Sequence, residues 1–454
     1  MITELSLKNF KVWKQVEGMR FAPITGFFGT NSSGKTSILQ LLLLLKQTVE
    51  SSDRLQVLNF GDERSAAKLG GFRDVVFRHE HGAALSWKIK WRVDRELEIG
   101  NPDAEDTQLF SGSEFQFEAH IKDYRGRLGV KGVRYNFAGH EFSMSRKKGR
   151  REAYVLAVQP EDRLRFVRNP GRAWDLPAPV KCYGFPNKVY GYYQNAWLLA
   201  QLQHEFERLF SQVMYLGPLR EYPGPQYTWA GSQPTDMGQR GEKVIEAILA
   251  ARDRGMMVSR GRRRPRVTLE QRVPEWLKEL GLIHSFLVEA VAPESNIYRL
   301  KVQRTASAVP VLITDVSFGV SQILPVIALC YYVPKGSTLV VEQPEIHLHP
   351  SVQSGLADVF VDAINTRGIQ IIFESHSEHL LRRLQRRIAE QKLAAEHTAL
   401  YFCDPDEQGF GLKPLEVDLL GNVTNWPKDF FGDEFGEMAA MSRAALQRQQ
   451  KGGP

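Results

Sequence analysis

Eight residues, Gly29-Thr30-Asn31-Ser32-Ser33-Gly34-Lys35-Thr36, sit between a short apolar strand pattern, Ile24 to Phe28, and an almost wholly apolar helix pattern, Ser37 to Val49. The spacing GxxxxGK[ST] in that context predicts the first strand, turn and helix of an α/β core. Glycines let the backbone turn with its N–H groups pointing inward, and the start of a helix adds the positive end of its dipole, so the segment forms a cradle for phosphate oxygens. Lys35 supplies a mobile charge for β- and γ-phosphates, and the Thr36 hydroxyl is placed to ligate Mg²⁺. Motif and context agree, which leaves little room for a glycine turn that merely caps a helix. The candidate cofactor-binding residues are Gly29, Asn31, Ser32, Ser33, Gly34, Lys35, Thr36 and Ser37, with ATP and Mg²⁺ as the expected cofactors.

The same grammar returns near the C-terminus. Ser337 to Val341 reads as a buried strand, Ser351 to Ile364 as an amphipathic helix and Gly368 to Phe373 as another buried strand, an order that implies parallel pairing. Between these blocks, Ala84 to Val93 and Phe115 to Ile121 alternate as antiparallel hairpin strands, while Ala196 to Val213 and Leu269 to Leu280 read as helices. A split nucleotide-binding head is expected: residues 1–80 and 311–420 form its two parts, 81–310 a β-rich then helical insertion, and 421–454 a small C-terminal element and tail. Two basic clusters, Arg146 to Arg151 and Arg252 to Arg266, read as mobile loops within the insertion.

Composition bounds the partners. Over 454 residues, 43% hydrophobic and 24% charged side chains exclude wholesale disorder, and a net charge of +7 is compatible with nucleic acid without demonstrating it. Cys182, Cys330 and Cys403 are isolated, so neither a disulfide framework nor a zinc knuckle is supported. Met1 to Lys11 alternates as a strand and lacks the apolar core of a signal peptide, and Leu41 to Leu45 is too short to span a bilayer. A soluble protein of the reducing cytoplasm is expected, with no membrane partner.

Three further segments carry chemistry. Thr338 to Gln343 is an apolar strand ending in Glu342, where a P-loop protein positions a carboxylate to hold Mg²⁺. His376 follows the Ile369 to Phe373 strand, where an imidazole can donate to the γ-phosphate or to attacking water. Ser317-Phe318-Gly319-Val320-Ser321-Gln322 precedes an apolar helix, Ile323 to Tyr331; its hydroxyls and glycine suit either an anion site or a plain helix cap.

Together these motifs resemble the ABC-type ATPase heads of the SMC and OLD (overcoming lysogenisation defect) class, and are most similar to bacterial predicted ATPases that share five segments. Those segments are Asn9 to Lys11, Gly29 to Thr36, Ser317 to Val326, Val341 to Pro350 and Glu374 to Leu381. Tyr215 to Arg220 (YLGPLR) also looks like that group, and Gly421 to Phe431 resembles its small C-terminal domain of unknown function. The resemblance implies a P-loop NTPase with a large mixed α+β insertion. It further implies a head-to-tail dimer in which ATP lies between the P-loop of one subunit and Ser317, Gly319 and Ser321 of the other. The same likeness places Asp74, in GGFRD, near the site. Members of the class occur in anti-phage defence modules beside a nuclease or another toxic effector.

One departure bears on catalysis. The acid that holds Mg²⁺ is ordinarily followed by a catalytic Glu, whereas Gln343 follows Glu342 here. An amide orients water but cannot accept its proton. Either hydrolysis is slow, or Glu345 contributes, or the chain traps ATP; slow hydrolysis is the expectation. The expected function is an ATP-driven switch controlling a separate effector such as a nuclease. The alternative is a DNA-clamping ATPase of SMC or recombination-mediator type, motivated by the arginine clusters and weakened by the absence of long heptad arms. A transporter subunit fits the large insertion poorly.

Overall fold

Two apolar runs of equal length, TLVVE at Thr338–Glu342 and QIIFE at Gln370–Glu374, form buried strands that pair in parallel and in register. The computed structural model describes residues 1–100, 108–147, 149, 153–171, 174–406, 409–427, 430 and 434–450. Its central sheet has six strands, in the order Gly409–Leu415, Thr398–Asp406, β3 (Ile24–Gly29), Gln370–Glu374, Thr338–Glu342 and β9 (Val213–Leu216). All neighbours are parallel except the edge hairpin formed by the first two. The P-loop strand and the strand ending in Glu342 are therefore separated by the strand ending in Glu374.

Strand alternation divides the apolar side chains between two cores. Phe27, Val340 and Ile372 join the P-loop helix α1 (Lys35–Glu50) on one face. Phe28, Leu339, Val341, Ile371 and Phe373 join the helices Phe318–Tyr332, Pro350–Arg367 and Glu378–Ala389 on the other. Burial on both faces is why these strands are continuously apolar. Each such side chain contributes roughly 1.5–3 kcal/mol, enough to hold polar groups at the strand ends partly out of water.

A seven-stranded antiparallel sheet covers the P-loop helix. Its order is β2 (Trp13–Arg20), β1 (Ile2–Phe10), β4 (Ala84–Gly100), β5 (Gln108–Asp123), β6 (Leu128–Phe137), β7 (His140–Arg146) and β8 (Tyr154–Gln159). Pairing of β1 with β4 carries this sheet across the boundary expected near residue 80. Gln370 pins it to the central sheet: its amide donates to the carbonyls of Ile2 at 2.7 Å and Ala22 at 3.1 Å, and its oxygen accepts from the Ile2 N–H at 3.0 Å.

Two expectations are corrected. The helix read over Ala196 to Val213 ends at Ser211, and Val213–Leu216 becomes the edge strand β9, because a branched and aromatic run followed by Gly217-Pro218 favours extension. The arginine clusters are loops only in part. Arg146 ends β7 with its guanidinium 4.0 Å from the Tyr124 ring centroid, and Lys147 pairs with Asp175; Lys148, Arg150 and Arg151 lie outside the described residues. Arg252 belongs to the helix Val244–Asp253 and pairs with Glu270, whereas Arg260, Arg262, Arg263, Arg264 and Arg266 lie in the loop between the paired strands Met257–Val258 and Val267–Thr268, as expected. At the C-terminal side, the ring of Phe430 packs against Phe28 at 6.1 Å and Phe402 at 4.7 Å. No helix among the described residues is long and apolar enough to cross a membrane.

Candidate functional site

The P-loop conformation follows from three residues that accept a positive φ. Gly29 has φ 135°, and a β-carbon there would lie 2.0 Å from the Cys403 carbonyl oxygen. Ser32 has φ 60°, and Gly34, at φ 89°, starts α1 with its carbonyl accepting from the Trp13 indole at 3.1 Å. A β-carbon on Gly34 would meet Val12 at 2.6 Å, so the turn between β1 and β2 grips the loop. No acidic residue occupies the first turn of α1, which leaves the positive end of its dipole free for an anion. Thr30, Asn31 and Ser32 are exposed, while Ser33, Lys35 and Ser37 are buried.

Lys35 Nζ donates to the carbonyls of Thr30 at 2.7 Å and Gly29 at 3.1 Å. Burial lowers its pKa, opposed by the nearby carboxylates of Glu374 and Glu345. The Thr36 hydroxyl donates to Glu374 Oε2 at 2.8 Å. Glu342 Oε1 accepts from the Tyr215 hydroxyl at 2.9 Å. The carboxylate on Thr36 is thus Glu374, while the candidate metal carboxylate Glu342 is held by the first residue of YLGPLR. Glu342 and Glu374 are register partners and project to the face of α1, as Val340 and Ile372 do.

Three buried carboxyls meet here. Glu345 Oε1 accepts from the His376 N–H at 2.7 Å, joining the loop after Glu342 to the loop after Glu374, while its Oε2 makes no well-formed hydrogen bond, with the Ser375 hydroxyl close enough to favour the charged form. Gln343 turns at φ 42° and donates its N–H to the Glu374 carbonyl at 3.0 Å. Arg220 is 3% exposed; one terminal nitrogen reaches the Glu342 carbonyl at 3.3 Å, and its other two nitrogens are without partners. Burial lowers its pKa to about 10. His376 itself is exposed, and burial of its surroundings together with the Lys35 charge keeps its imidazole below the usual pKa.

Burial, then the neighbouring Glu374, pushes the Glu342 carboxyl from its ordinary 4.5 up to about 7. Between those values the folded chain keeps a proton that the unfolded chain has released, so this group's contribution to stability is lost as pH rises through that window. A displacement from 4.5 to about 7 corresponds to at most about 3 kcal/mol. Glu342→Gln, which cannot ionise, is expected to gain stability relative to the wild type by up to that amount between pH 5 and pH 8. Urea unfolding of both chains without nucleotide checks this; a constant difference across the range contradicts it.

The segment Ser317 to Gln322 does not join this cluster by any hydrogen bond among the described residues. Ser317 caps the helix Phe318–Tyr332, yet its hydroxyl makes no capping bond and is exposed, whereas Ser321 is buried and donates to the Phe318 carbonyl at 2.7 Å. Gly319 lies 3.5 Å, by its would-be β-carbon, from the His347 carbonyl, and the Phe318 ring packs on His347 at 5.0 Å. The segment therefore abuts the loop that carries Gln343 and Glu345.

Beside the P-loop, a cavity of about 390 Å³ is lined by Lys11, Val12, Asp74, Phe77, Arg78 and His79, among others. Asp74 belongs to this wall, where its carboxylate accepts from the Gly71 N–H at 2.7 Å. Lys11, Arg78 and His79 all hold positive φ, as do Gln343 and His347, so sparsely populated backbone conformations gather around this site.

Sequence reasoning missed Glu374 and Arg220. The twin strand endings TLVVE and QIIFE were the available signal for the first, and for the second only its place in the segment Tyr215 to Arg220.

Residues 1–109 match the model described as AAA ATPase domain, and residues 277–382 the model described as AAA domain, putative AbiEii toxin, Type IV TA system. Residues 393–441 match Protein of unknown function (DUF3696). No curated protein matches the sequence. Among solved structures, the SMC head bound to the C-winged helix domain of ScpA is similar at TM-score 0.45 and 11% identity, covering 92% of this chain and 98% of that one. The SMC head domain from Thermotoga maritima scores 0.41 at 10% identity, covering 92% and 99%. An Smc head with an extended coiled coil, bound to the C-terminal domain of ScpA derived from Pyrococcus furiosus, scores 0.44 at 10%, covering 97% and 99%. Scores this low transfer nothing from those proteins. The two stretches that match AAA ATPase models meet here in one P-loop site, and the segment that follows matches the model of unknown function.

Proposed function

We propose that this chain is a slowly hydrolysing, dimerising ATPase that acts as a nucleotide switch on a separate effector. The observation that carries the reading is the convergence of Lys35 and Thr36 with the buried carboxyls Glu342, Glu345 and Glu374 at adjacent strand ends. Triphosphate accepts hydrogen bonds from the P-loop N–H groups and exchanges for the carbonyls that Lys35 now holds. The cavity beside Gly34 takes the nucleoside, with Asp74 and Lys11 at its wall. Thr36, Glu342 and Glu374 are hard oxygen donors of the kind Mg²⁺ prefers, and Mg²⁺ is held by few protein ligands when phosphates supply the rest. Bound there, the ion neutralises charge on the β- and γ-phosphates. Gln343 orients water without taking its proton, and Glu345 and His376 stand ready on the two loops that flank it.

The exposed, uncapped hydroxyl of Ser317 at a helix N-terminus supports a role across a head-to-tail dimer, with Gly319 beside it and Ser321 keeping the first turn in shape. Contact between Phe318 and His347 supports transmission from that interface to the catalytic loop. Tyr215 and Arg220 reach Glu342 from the insertion, which gives nucleotide a route to reshape it. The description of the model matching residues 277–382, a putative toxin of a type IV toxin–antitoxin system, supports a defence module, with a nuclease as a candidate effector.

Purifying the tagged full-length chain with and without Mg·ATP, and measuring its mass by sedimentation, tests the switch. ATP is expected to produce a dimer that Ser317→Arg prevents, and to capture or release a protein partner. Unchanged mass and an unchanged partner set contradict it. The exposed Arg262, Arg263, Arg264 and Arg266 on the small hairpin support DNA as a second reading. Duplex DNA in the purified material, lost when these four are neutralised, favours that reading over the switch.

A further inference from the structure

We propose that Glu374 is a magnesium-site carboxylate, sharing the cation with Thr36. The inference rests on the ATP-site reading and deepens it, because neither strand ending in Glu identifies by itself which acid meets the P-loop. The hydroxyl expected to ligate the ion is bonded to Glu374 Oε2 at 2.8 Å, whereas Glu342 is engaged with Tyr215 at 2.9 Å. That hydrogen bond fixes the orientation of the Thr36 hydroxyl and holds the Glu374 carboxylate beside it, so that one cation can be reached from both.

Topology explains why this acid is the one. The strand Gln370–Glu374 lies directly beside β3, with Glu374 paired in register to Phe27, two residues before the P-loop begins at Gly29. The strand ending in Glu342 is one place further from β3. At about 4.8 Å per strand, the nearer carboxylate has the shorter reach to Thr36.

Charge gives an independent reason. Glu342, Glu345 and Glu374 are 7%, 7% and 4% exposed, and the buried cations beside them are Lys35 and Arg220. Glu345 is 7% exposed, and its Oε2 makes no well-formed hydrogen bond, with only the Ser375 hydroxyl near its carboxyl. Buried polar atoms are rarely left in that condition, and a hydrated cation at Thr36 and Glu374 supplies both positive charge and donor water.

The test uses the full chain loaded with a non-hydrolysable ATP analogue and titrated with Mn²⁺, reading free Mn²⁺ by electron paramagnetic resonance. Glu374→Gln is expected to weaken Mn²⁺ binding about 10- to 100-fold, while the variant still binds the analogue in EDTA. Unchanged Mn²⁺ affinity with the analogue bound overturns the assignment and leaves the ATP reading intact. A wild-type chain that binds no analogue overturns both. Should Glu374→Gln fail to fold, Fe²⁺ in place of Mn²⁺ gives a second reading on the unmodified protein, since bound iron and ascorbate cut the backbone beside its ligands. Cuts near Thr36 and Glu374 support the assignment; cuts near Thr36 and Glu342 alone overturn it.

Discussion

Lys35→Ala should lower ATP affinity by about two orders of magnitude, the largest binding loss expected from any single substitution in this chain. Nζ is buried against the P-loop and bonded to two backbone carbonyls, and among the described residues it has no carboxylate within salt-bridge distance. Its charge is compensated only at longer range by Glu374 and Glu345, so a phosphate that takes up its hydrogen bonds gains a strong, weakly hydrated partner. Removing one member of a buried charge pair costs roughly 2–5 kcal/mol, and about 2.7 kcal/mol is a hundred-fold change in affinity. Lys35→Arg should not rescue binding, because a planar fork cannot replace a compact ammonium in the space between the Gly29 and Thr30 carbonyls. Titration calorimetry with ATP, alongside a thermal melt to show that the variant is folded, measures the effect. Affinity within a few-fold of wild type would mean that the phosphates bind elsewhere.

How much of this was readable without coordinates depends on whether the signal is local. The P-loop is local: two glycines, a lysine and a threonine within eight residues, flanked by strand and helix patterns that the structure contains at Ile24–Gly29 and Lys35–Glu50. The acid-ended strand Thr338–Glu342 is equally legible, because a strand buried on both faces must be continuously apolar. Pairing is not local. Nothing in Val213–Leu216 announces that it extends the parallel sheet, and a helix pattern runs straight into it; only its partner, Thr338–Glu342, fixes it as a strand. For the same reason Tyr215 and Arg220 have no sequence signal linking them to Glu342, 127 and 122 residues away. The β1–β4 pairing likewise depends on a neighbour that lies more than 70 residues along the chain. Arg146 and Arg252 read as loop residues because composition reports solvation, not hydrogen-bonded geometry. Glu270 and Glu275, which pair with Arg252 and Arg260, lie on a helix whose proximity the sequence does not encode locally.

Gln343→Glu should accelerate ATP turnover by about a hundred-fold, at the lower end of the 10²–10⁴ that a positioned general base contributes. The substitution is nearly isosteric, and the backbone at φ 42° is held by the bond from the Gln343 N–H to the Glu374 carbonyl, which the new side chain does not touch. What changes is proton chemistry: an amide oxygen accepts a hydrogen bond from water, but only a carboxylate can accept the proton when water attacks. The new acid enters a neighbourhood already crowded with Glu342, Glu345 and Glu374, and two of these carry carboxyls raised chiefly by burial and partly by one another. Repulsion of that kind moves a carboxyl toward neutral pH, where a general base works best. The gain should therefore fall on kcat, with KM changing little, because the P-loop contacts that hold ATP are untouched. Steady-state phosphate release by purified wild type and variant decides the matter. If the wild type already completes several turnovers per second, Gln343 is no handicap and the slow-switch reading fails. If Gln343→Glu is no faster while Glu345→Gln abolishes turnover, the base is Glu345, whose buried carboxyl lies two residues further along the same loop.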